Sequence, residues 1–239
     1  MHSVKAIFKK QMKDTLKNMG VLIQFIIYPL VAFAMTVLMD TAAIPYEVLA
    51  VMPNMVNVMA AVFAGMALVS SAAAIIAEDK EKKSLRFLVM ANVKPPAYLL
   101  GVGGTVFFVS IFTSVAFSFI SGFGGVDFWI FLASMMSGVT ASILLGATIG
   151  LLTKNQQSAT AIAMPIAMVL GFGPMMAGFN DTIARVLHIT YTQQLNVVSD
   201  YLTIGGVGAP LWHSFAIMWA NVVVFGIVFV IVYAKKGMK

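Results

Sequence analysis

The chain has no cysteine and very little charge, and both absences narrow what the protein can be. Without cysteine it has no disulfide and no thiolate metal site. Its three histidines, His2, His188 and His213, are scattered without the spacing of a metal-binding motif, so we expect no metal site. Only 10% of the residues are charged, against about 25% in a typical soluble domain, which is too few to cover a water-facing surface. The composition therefore predicts a membrane protein.

Long uncharged apolar runs support this interpretation. A transmembrane helix needs about 20 apolar residues, because the hydrocarbon core is about 30 Å thick and a helix rises about 1.5 Å per residue. Six such runs cover residues 20–39, 51–76, 97–121, 128–152, 159–178 and 212–234. We therefore predict an all-α fold class, a polytopic membrane protein with six transmembrane helices that form one domain over residues 1–239.

The basic residues are concentrated in the segments at one end of these six spans. Fourteen of the 15 Lys and Arg lie there, and Arg185 alone lies at the other end. The fourteen are Lys5, Lys9, Lys10, Lys13, Lys17, Lys80, Lys82, Lys83, Arg86, Lys94, Lys154, Lys235, Lys236 and Lys239. Because Lys and Arg accumulate on the cytoplasmic side, this distribution predicts a bacterial-type cytoplasmic membrane protein with both termini in the cytoplasm. The net charge of +6 then reflects topology and contact with the lipid bilayer, and we expect no nucleic-acid partner.

Residues 1–19 form an amphipathic pattern before the first span. Lysines occupy one face of a helix and an apolar stripe the other, which is typical of a helix that lies flat at a membrane surface. The stripe consists of Val4, Ile7, Phe8, Met12, Leu16 and Met19. The alternative is an ordinary basic flank that only orients the protein. A cleavable signal peptide is disfavoured, because the apolar run that follows is longer than the usual 7–15 residues.

Residues 77–96 differ from the rest of the chain, because eight of these 20 residues are charged. Acidic residues suited to a first helical turn are followed by an apolar stripe and then by two prolines that end the pattern. In order, these are Glu78, Asp79 and Glu81; Leu85, Leu88 and Val89; and Pro95 and Pro96. We predict a short cytoplasmic helix suited to docking in a groove of a partner protein. The alternative is a solvated loop.

This segment resembles the cytoplasmic coupling segment of the permease subunits of type-2 ABC exporters. The resemblance rests on Glu78-Asp79-Lys80-Glu81, Ser84-Leu85, Leu88, Asn92-Val93-Lys94-Pro95 and Leu99-Leu100-Gly101. Lys83 and Val102 depart from the family's pattern, which has Gly and Lys there. The resemblance implies ABC ATPase subunits as partners, with a second permease copy or a homologous permease beside this chain. It also implies a docking role for Glu78, Glu81, Lys82, Ser84, Leu85, Arg86 and Leu88.

The chain itself contains no Gly-x-x-x-x-Gly-Lys-Ser/Thr sequence that would bind nucleotide phosphates. We therefore expect no cofactor and no catalytic residue on this chain, and we expect ATP and magnesium on the partner subunit. No span carries an ionisable residue in its interior, which weighs against a proton- or sodium-driven transporter. The polar residues that could line a substrate path are Gln24, Asn54, Asn57, Ser70 and Ser71. The alternative for these five is ordinary hydrogen bonding between helices.

Residues 179–211 form a patterned segment between the last two spans. Asn180 or Asp181 can cap a helix, and apolar residues then recur at helical spacing up to Leu202. This predicts an extracellular amphipathic helix that is re-entrant or interfacial, with a plain loop as the alternative.

These observations together predict the permease subunit of an ATP-driven exporter. Its cargo is expected to be a hydrophobic or amphipathic compound, such as a drug, an antimicrobial peptide or a lipid-like molecule. The alternatives are an ATP-independent channel or secondary transporter, and a membrane anchor for a cytoplasmic partner that transports nothing.

Overall fold

The computed structural model describes residues 2–42, 54–82, 95–203 and 211–236. These residues form nine helices and no strand. In chain order they are α1 (His2–Lys17), α2 (Met19–Thr41), α3 (Met55–Glu81), α4 (Pro95–Ile120), α5 (Gly125–Leu152), α6 (Gln156–Ala177), α7 (Asp181–Leu187), α8 (Tyr191–Thr203) and α9 (Leu211–Lys236). Six of them, α2 to α6 and α9, are long and apolar enough to cross a membrane, which confirms the predicted all-α fold with six spans.

Helix α3 lies at the centre of the bundle. Of its most apolar window, 83% is buried, against 22% for α2 and 11% for α9. It packs mainly against α5 and α6, while α2 and α9 present large apolar side chains to the surroundings. Because a lipid-facing helix and a buried helix are equally apolar, the sequence alone does not distinguish these positions.

Glycines allow α3 and α5 to pack closely. A Cβ atom added at Gly146 would lie 2.4 Å from the carbonyl oxygen of Val69, and one at Gly150 would lie 2.7 Å from the carbonyl oxygen of Ala73. Both contacts are with backbone atoms, which do not move aside as a flexible side chain does. Small residues at these positions therefore set the distance between the two helices, as is usual for helices packed in a membrane.

The middle of α3 contains a π-helical turn, Phe63–Ala67. Oγ of Ser142, on α5, lies 2.6 Å from the carbonyl oxygen of Ala64 within this turn, and the hydroxyl of Tyr191, the first residue of α8, lies 2.9 Å from the same Oγ. The hydroxyl of Ser142 thus supplies a donor to a carbonyl inside the π turn. Turns of this kind occur often at functional sites.

Helix α1 packs on α4 through part of the predicted apolar stripe. Ile7, Gln11 and Thr15 are buried, whereas Leu16 is 52% exposed. Ile7 contacts Gly101, where an added Cβ atom would lie 2.5 Å from the Ile7 side chain. The ring of Phe8 also contacts α4, since it packs edge-to-face on Phe108 with the ring centroids 6.2 Å apart, whereas Leu16 lies at the exposed end of the predicted stripe. Asn18 ends α1 and caps α2 by accepting a hydrogen bond from the backbone N–H of Val21.

Candidate functional site

The charged residues that begin the predicted docking segment are the last turns of α3. Glu78, Asp79, Lys80 and Glu81 continue this helix without a break, and Lys82 is its C-cap. The prediction that the three acids form the first turn of a separate helix is therefore wrong. Nothing in Leu68–Glu81 interrupts the backbone hydrogen bonds, and extending a helix costs less than starting a new one. Pro95 and Pro96 were predicted to end a helical pattern, but they begin α4. Proline is tolerated in a first helical turn.

Lys80 and Glu81 bind the ends of the next two helices. Nζ of Lys80 donates to the carbonyl oxygens of Leu151 and Thr153, at 2.8 Å each, where α5 ends. Oε2 of Glu81 accepts a hydrogen bond of 3.1 Å from the backbone N–H of Gln156, where α6 begins. The cation thus meets the negative end of one helix dipole and the carboxylate meets the positive end of another, so both contacts are favourable.

Asp79 faces the other side of α3. The hydroxyl of Tyr98, on α4, donates a hydrogen bond of 2.8 Å to Oδ2 of Asp79, and Nζ of Lys10, on α1, lies 3.9 Å from Oδ1. The side chain of Asp79 is 14% exposed, so these contacts replace most of its water. The end of α3 is therefore bound to α1, to α4 and to the junction of α5 with α6. We call residues Asp79, Lys80 and Glu81 the α3 junction.

Three of the seven predicted docking residues lie in the described part of the chain. Glu78 and Lys82 form an exposed ion pair of 2.5 Å one helical turn apart, and this hydrogen bond raises the pKa of Lys82. Glu81 belongs to the α3 junction. The other four, Ser84, Leu85, Arg86 and Leu88, lie outside the described residues.

The five predicted path residues do not form one cluster. Oγ of Ser71 donates to Oε1 of Gln24 at 2.7 Å and joins α3 to α2, a bond worth about 0.6 kcal/mol in a membrane. Ser70 donates to Met66 of its own helix, and Asn54 caps α3 by accepting from the backbone N–H groups of Val56 and Asn57. Each of these four side chains therefore has a structural partner.

Asn57, the fifth path residue, binds a carboxylate that sequence analysis did not single out. Its Nδ2 donates a hydrogen bond of 2.8 Å to Oδ1 of Asp200, on α8, and Nδ2 of Asn196 donates one of 3.0 Å to Oδ2. Burial raises the pKa of Asp200, and the hydrogen bond from Asn57 partly offsets this rise. Asp181 and Asp200 are the only acids after Asp127, and this scarcity was a signal that sequence analysis could have used.

The segment that places Asp200 consists of two helices, so the prediction of a single amphipathic helix is wrong. Asn180 caps α7 as predicted, but the chain turns at His188–Thr190 before α8 begins. Helix α7 has no buried residue, whereas Tyr191, Leu195 and Val198 of α8 are fully buried. Because α8 packs against α3, α5, α6 and α9, it is an inserted helix and not a surface one.

An apolar groove of about 630 Å³ lies between α1, α2 and α4. Its walls are mainly aliphatic and include four aromatic side chains, those of Phe25, Phe33, Phe108 and Phe112. The groove has room for an apolar chain. The described residues that line it include no charged side chain that could bind a polar head group.

Comparison with known proteins is consistent with the helix pattern. No match was found among curated proteins. The family described as "ABC-2 family transporter protein" matches residues 4–231, which include α2 to α8, the α3 junction and most of α9. The chain therefore belongs to the ABC-2 family of transporter proteins.

Proposed function

We propose that this chain is the permease subunit of an ATP-driven exporter that moves a hydrophobic or amphipathic compound across a bacterial-type cytoplasmic membrane. Both termini and the α3 junction face the cytoplasm. Two copies of the chain, or one copy and a homologous permease, form the pathway. Separate ABC ATPase subunits bind ATP and magnesium, and they dock on residues 83–94 together with Glu78, Glu81 and Lys82.

The position of α3 is the observation that carries this proposal. It is the most buried of the six spans, and it ends in the charged residues that precede the docking segment. A movement of residues 83–94 acts directly on this helix. Because the α3 junction binds α1, α4, α5 and α6, that movement reaches most of the bundle without passing through a flexible loop.

Packing of α3 favours movement as a rigid unit. The glycine contacts with α5 leave no free space, so the two helices move together or separate completely. A hydrogen bond donated by Lys80 holds the end of α5, and Glu81 accepts one from the backbone N–H that begins α6. The apolar groove between α2 and α4 supports the expected cargo class, because its walls suit a hydrocarbon body.

The docking role is tested by purifying the tagged protein in detergent from its native membrane and measuring the ATPase activity that co-purifies. Leu88→Asp places a charge in the predicted apolar stripe, so we expect it to abolish the activity while the protein still inserts. Val126→Asp makes the same kind of change at an exposed position at the start of α5, outside the docking segment, and is the matched control. Equal ATPase recovery with Leu88→Asp and the wild type contradicts the docking role.

Transport is tested in vesicles that contain the permease and its ATPase. We expect efflux of an amphipathic dye only with ATP. Efflux without ATP identifies a channel or secondary transporter, and ATPase docking without efflux of any compound identifies a membrane anchor.

A further inference from the structure

We propose that the apolar groove between α1, α2 and α4 binds one acyl chain of an anionic phospholipid, whose phosphate is bound by Lys9 and Lys13 at the α1 end of the groove. The inference goes beyond the proposed function, because it assigns to the groove a component of the bilayer that binds with or without ATP. The proposed topology makes this a lipid of the cytoplasmic leaflet. Lys9, Lys13 and the groove are called the lipid site below.

The first argument is the position and length of the groove. Met12 and Leu16 of α1 line one end of it, and the span of α2 begins at Met19, so this end lies at the membrane boundary. From there the groove follows α2 from Leu22 to Phe33, a rise of about 16 Å. One leaflet of the hydrocarbon core is about 15 Å thick, half of the whole. The groove therefore matches one acyl chain of the leaflet on the α1 side.

The second argument is the chemistry of the walls. Among the fourteen residues that line the groove, Thr113 alone has a polar side chain, and its Oγ1 donates a hydrogen bond of 3.1 Å to the backbone carbonyl oxygen of Phe25. Leu30 and Phe112 are 58% and 64% exposed, so the groove opens towards the surrounding lipid. A hydrocarbon chain satisfies such walls, whereas water does not fill an apolar cavity.

The third argument is the charge at the α1 end of the groove. Lys9 precedes Met12 by three residues and Lys13 precedes Leu16 by three, so each lysine lies one helical turn from a residue that lines the groove. Both lysines are exposed, and neither forms an ion pair with another described residue. Asp14, the only acid of α1, lines a different, polar cavity between α1 and α3. The groove side of α1 therefore attracts an anion at the level of the lipid head groups.

A phospholipid fits this face better than a second copy of the chain does. In a two-fold symmetric dimer the same patch lies on both subunits, so Lys9 and Lys13 would meet their own counterparts. Like charges at such a contact repel each other, whereas an anionic phosphate supplies the opposite charge. One phospholipid molecule thus complements both the apolar groove and the two lysines.

The test compares dipalmitoyl phosphatidylglycerol with dipalmitoyl phosphatidylcholine, which have the same acyl chains and differ in the net charge of the head group. The purified full chain is titrated in detergent with each lipid, and native mass spectrometry counts the bound lipids and the protein copies. We expect the wild type to bind one phosphatidylglycerol about tenfold more tightly than phosphatidylcholine, since each lysine near the head groups adds to the attraction. Equal affinities overturn the proposal.

The charge is tested with paired substitutions. Lys9→Gln together with Lys13→Gln removes two positive charges, so we expect it to abolish the preference for phosphatidylglycerol. Lys154→Gln together with Lys235→Gln removes two exposed charges elsewhere at the same end of the spans and is the matched control, which should retain the preference. A preference that survives the first pair of substitutions overturns the proposal.

The groove is tested by filling it. Ala116→Trp places an indole among the lining residues, so we expect weaker binding of both lipids. Ala220→Trp makes the same change at an exposed position of α9 and should bind both lipids as the wild type does. Unchanged lipid binding with Ala116→Trp overturns the proposal. Loss of a dimer without loss of lipid identifies a second copy as the occupant and overturns it as well.

A measurement on the wild type does not depend on the folding of a variant. Phosphatidylglycerol with a photoreactive diazirine in one acyl chain is crosslinked to the full chain in phosphatidylcholine nanodiscs, and mass spectrometry identifies the labelled peptides. We expect label on the groove-lining peptides of α2 and α4, and we expect added phosphatidylglycerol, but not added phosphatidylcholine, to remove it. Label spread evenly over all exposed spans, or removed equally by both lipids, overturns the proposal. No ATPase is present, so this result is separate from the docking test.

Discussion

Nζ of Lys80, near the end of α3, donates hydrogen bonds to the carbonyl oxygens of Leu151 and Thr153 at 2.8 Å each. One side chain thereby satisfies two carbonyl groups at the C-terminal end of α5, where no further helical N–H is present. The contact joins the most buried span to its closest neighbour at the end where we propose that the ATPase docks.

Replacing Lys80 should destabilise the bundle. Lys80→Met keeps most of the side-chain volume and removes the donors, so we expect a loss of about 1–3 kcal/mol, the usual cost of leaving such acceptors unsatisfied. Thermal unfolding in detergent measures the change. Lys82→Met is the control, because Lys82 is exposed and its ion pair with Glu78 contributes little. An equal loss of stability in the two variants would show that the contact of Lys80 with α5 stabilises the bundle no more than the exposed ion pair does.

Glycine at position 146 should be required for packing. Gly146→Ala places a Cβ atom 2.4 Å from the carbonyl oxygen of Val69, so α3 and α5 must separate. We expect a loss at or above the upper end of the 1–3 kcal/mol that is typical of overpacking, because the contact is with backbone. Gly226→Ala is the matched control, since its Cβ atom would lie 3.8 Å from the Leu144 side chain, an ordinary contact distance. Unchanged melting temperatures for both variants would refute the close approach.

Ser142 and Tyr191 should be energetically coupled. Both are fully buried, and their hydroxyl groups lie 2.9 Å apart. We expect Ser142→Ala and Tyr191→Phe each to cost about 1 kcal/mol, and the double variant to deviate from their sum by about 0.5 kcal/mol or more. A double-mutant cycle of unfolding measures this deviation. Ser142→Ala combined with Thr41→Val, at an exposed position of α2, should be additive, and additivity in both pairs would contradict the coupling.

Asp200 should make the stability depend on pH. Burial raises the pKa of its carboxyl in the folded protein above the ordinary value for an aspartate, so the folded state holds this proton more tightly than the unfolded state does. Its contribution to stability is therefore full below the unfolded pKa and is lost as the pH rises through the folded pKa. We expect wild-type stability, relative to Asp200→Asn, to fall as the pH is raised from about 4 toward neutrality. A constant difference between the two melting curves across this range would refute the raised pKa.

The number of spans follows from the sequence because it depends on length and apolarity alone. Residues 20–39 and 212–234 were predicted as spans and correspond to α2 and α9. A helix cap also depends on the local sequence. Asn180 and Asp181 were the two predicted caps, and Asn180 caps α7. The end of α3 was predicted wrongly, because the charges of Glu78 and Glu81 resembled a new first turn. Their actual partners, Lys82 and the backbone of Gln156, include one that lies 75 residues away and has no local signal.

The hydrogen bond between Asn57 and Asp200 shows the same division within the candidate functional residues. Asn57 was selected because it is polar and lies within a span, but Asp200 was not, because it belongs to the segment predicted as an extracellular re-entrant or interfacial helix. The two side chains meet only after α8 inserts between α3 and the neighbouring helices. A hydrogen bond between residues 143 positions apart depends on this insertion and not on the pattern around either residue.

The sequence by itself determined the class of molecule, its six spans and its charge asymmetry, because water and lipid act on each segment according to its own composition. Only the tertiary structure decided which span is central, which lysine binds the end of α5 and which carboxylate accepts the hydrogen bond from Asn57. Those outcomes depend on close contacts between helices that are equally apolar, and contact geometry is not contained in composition or periodicity.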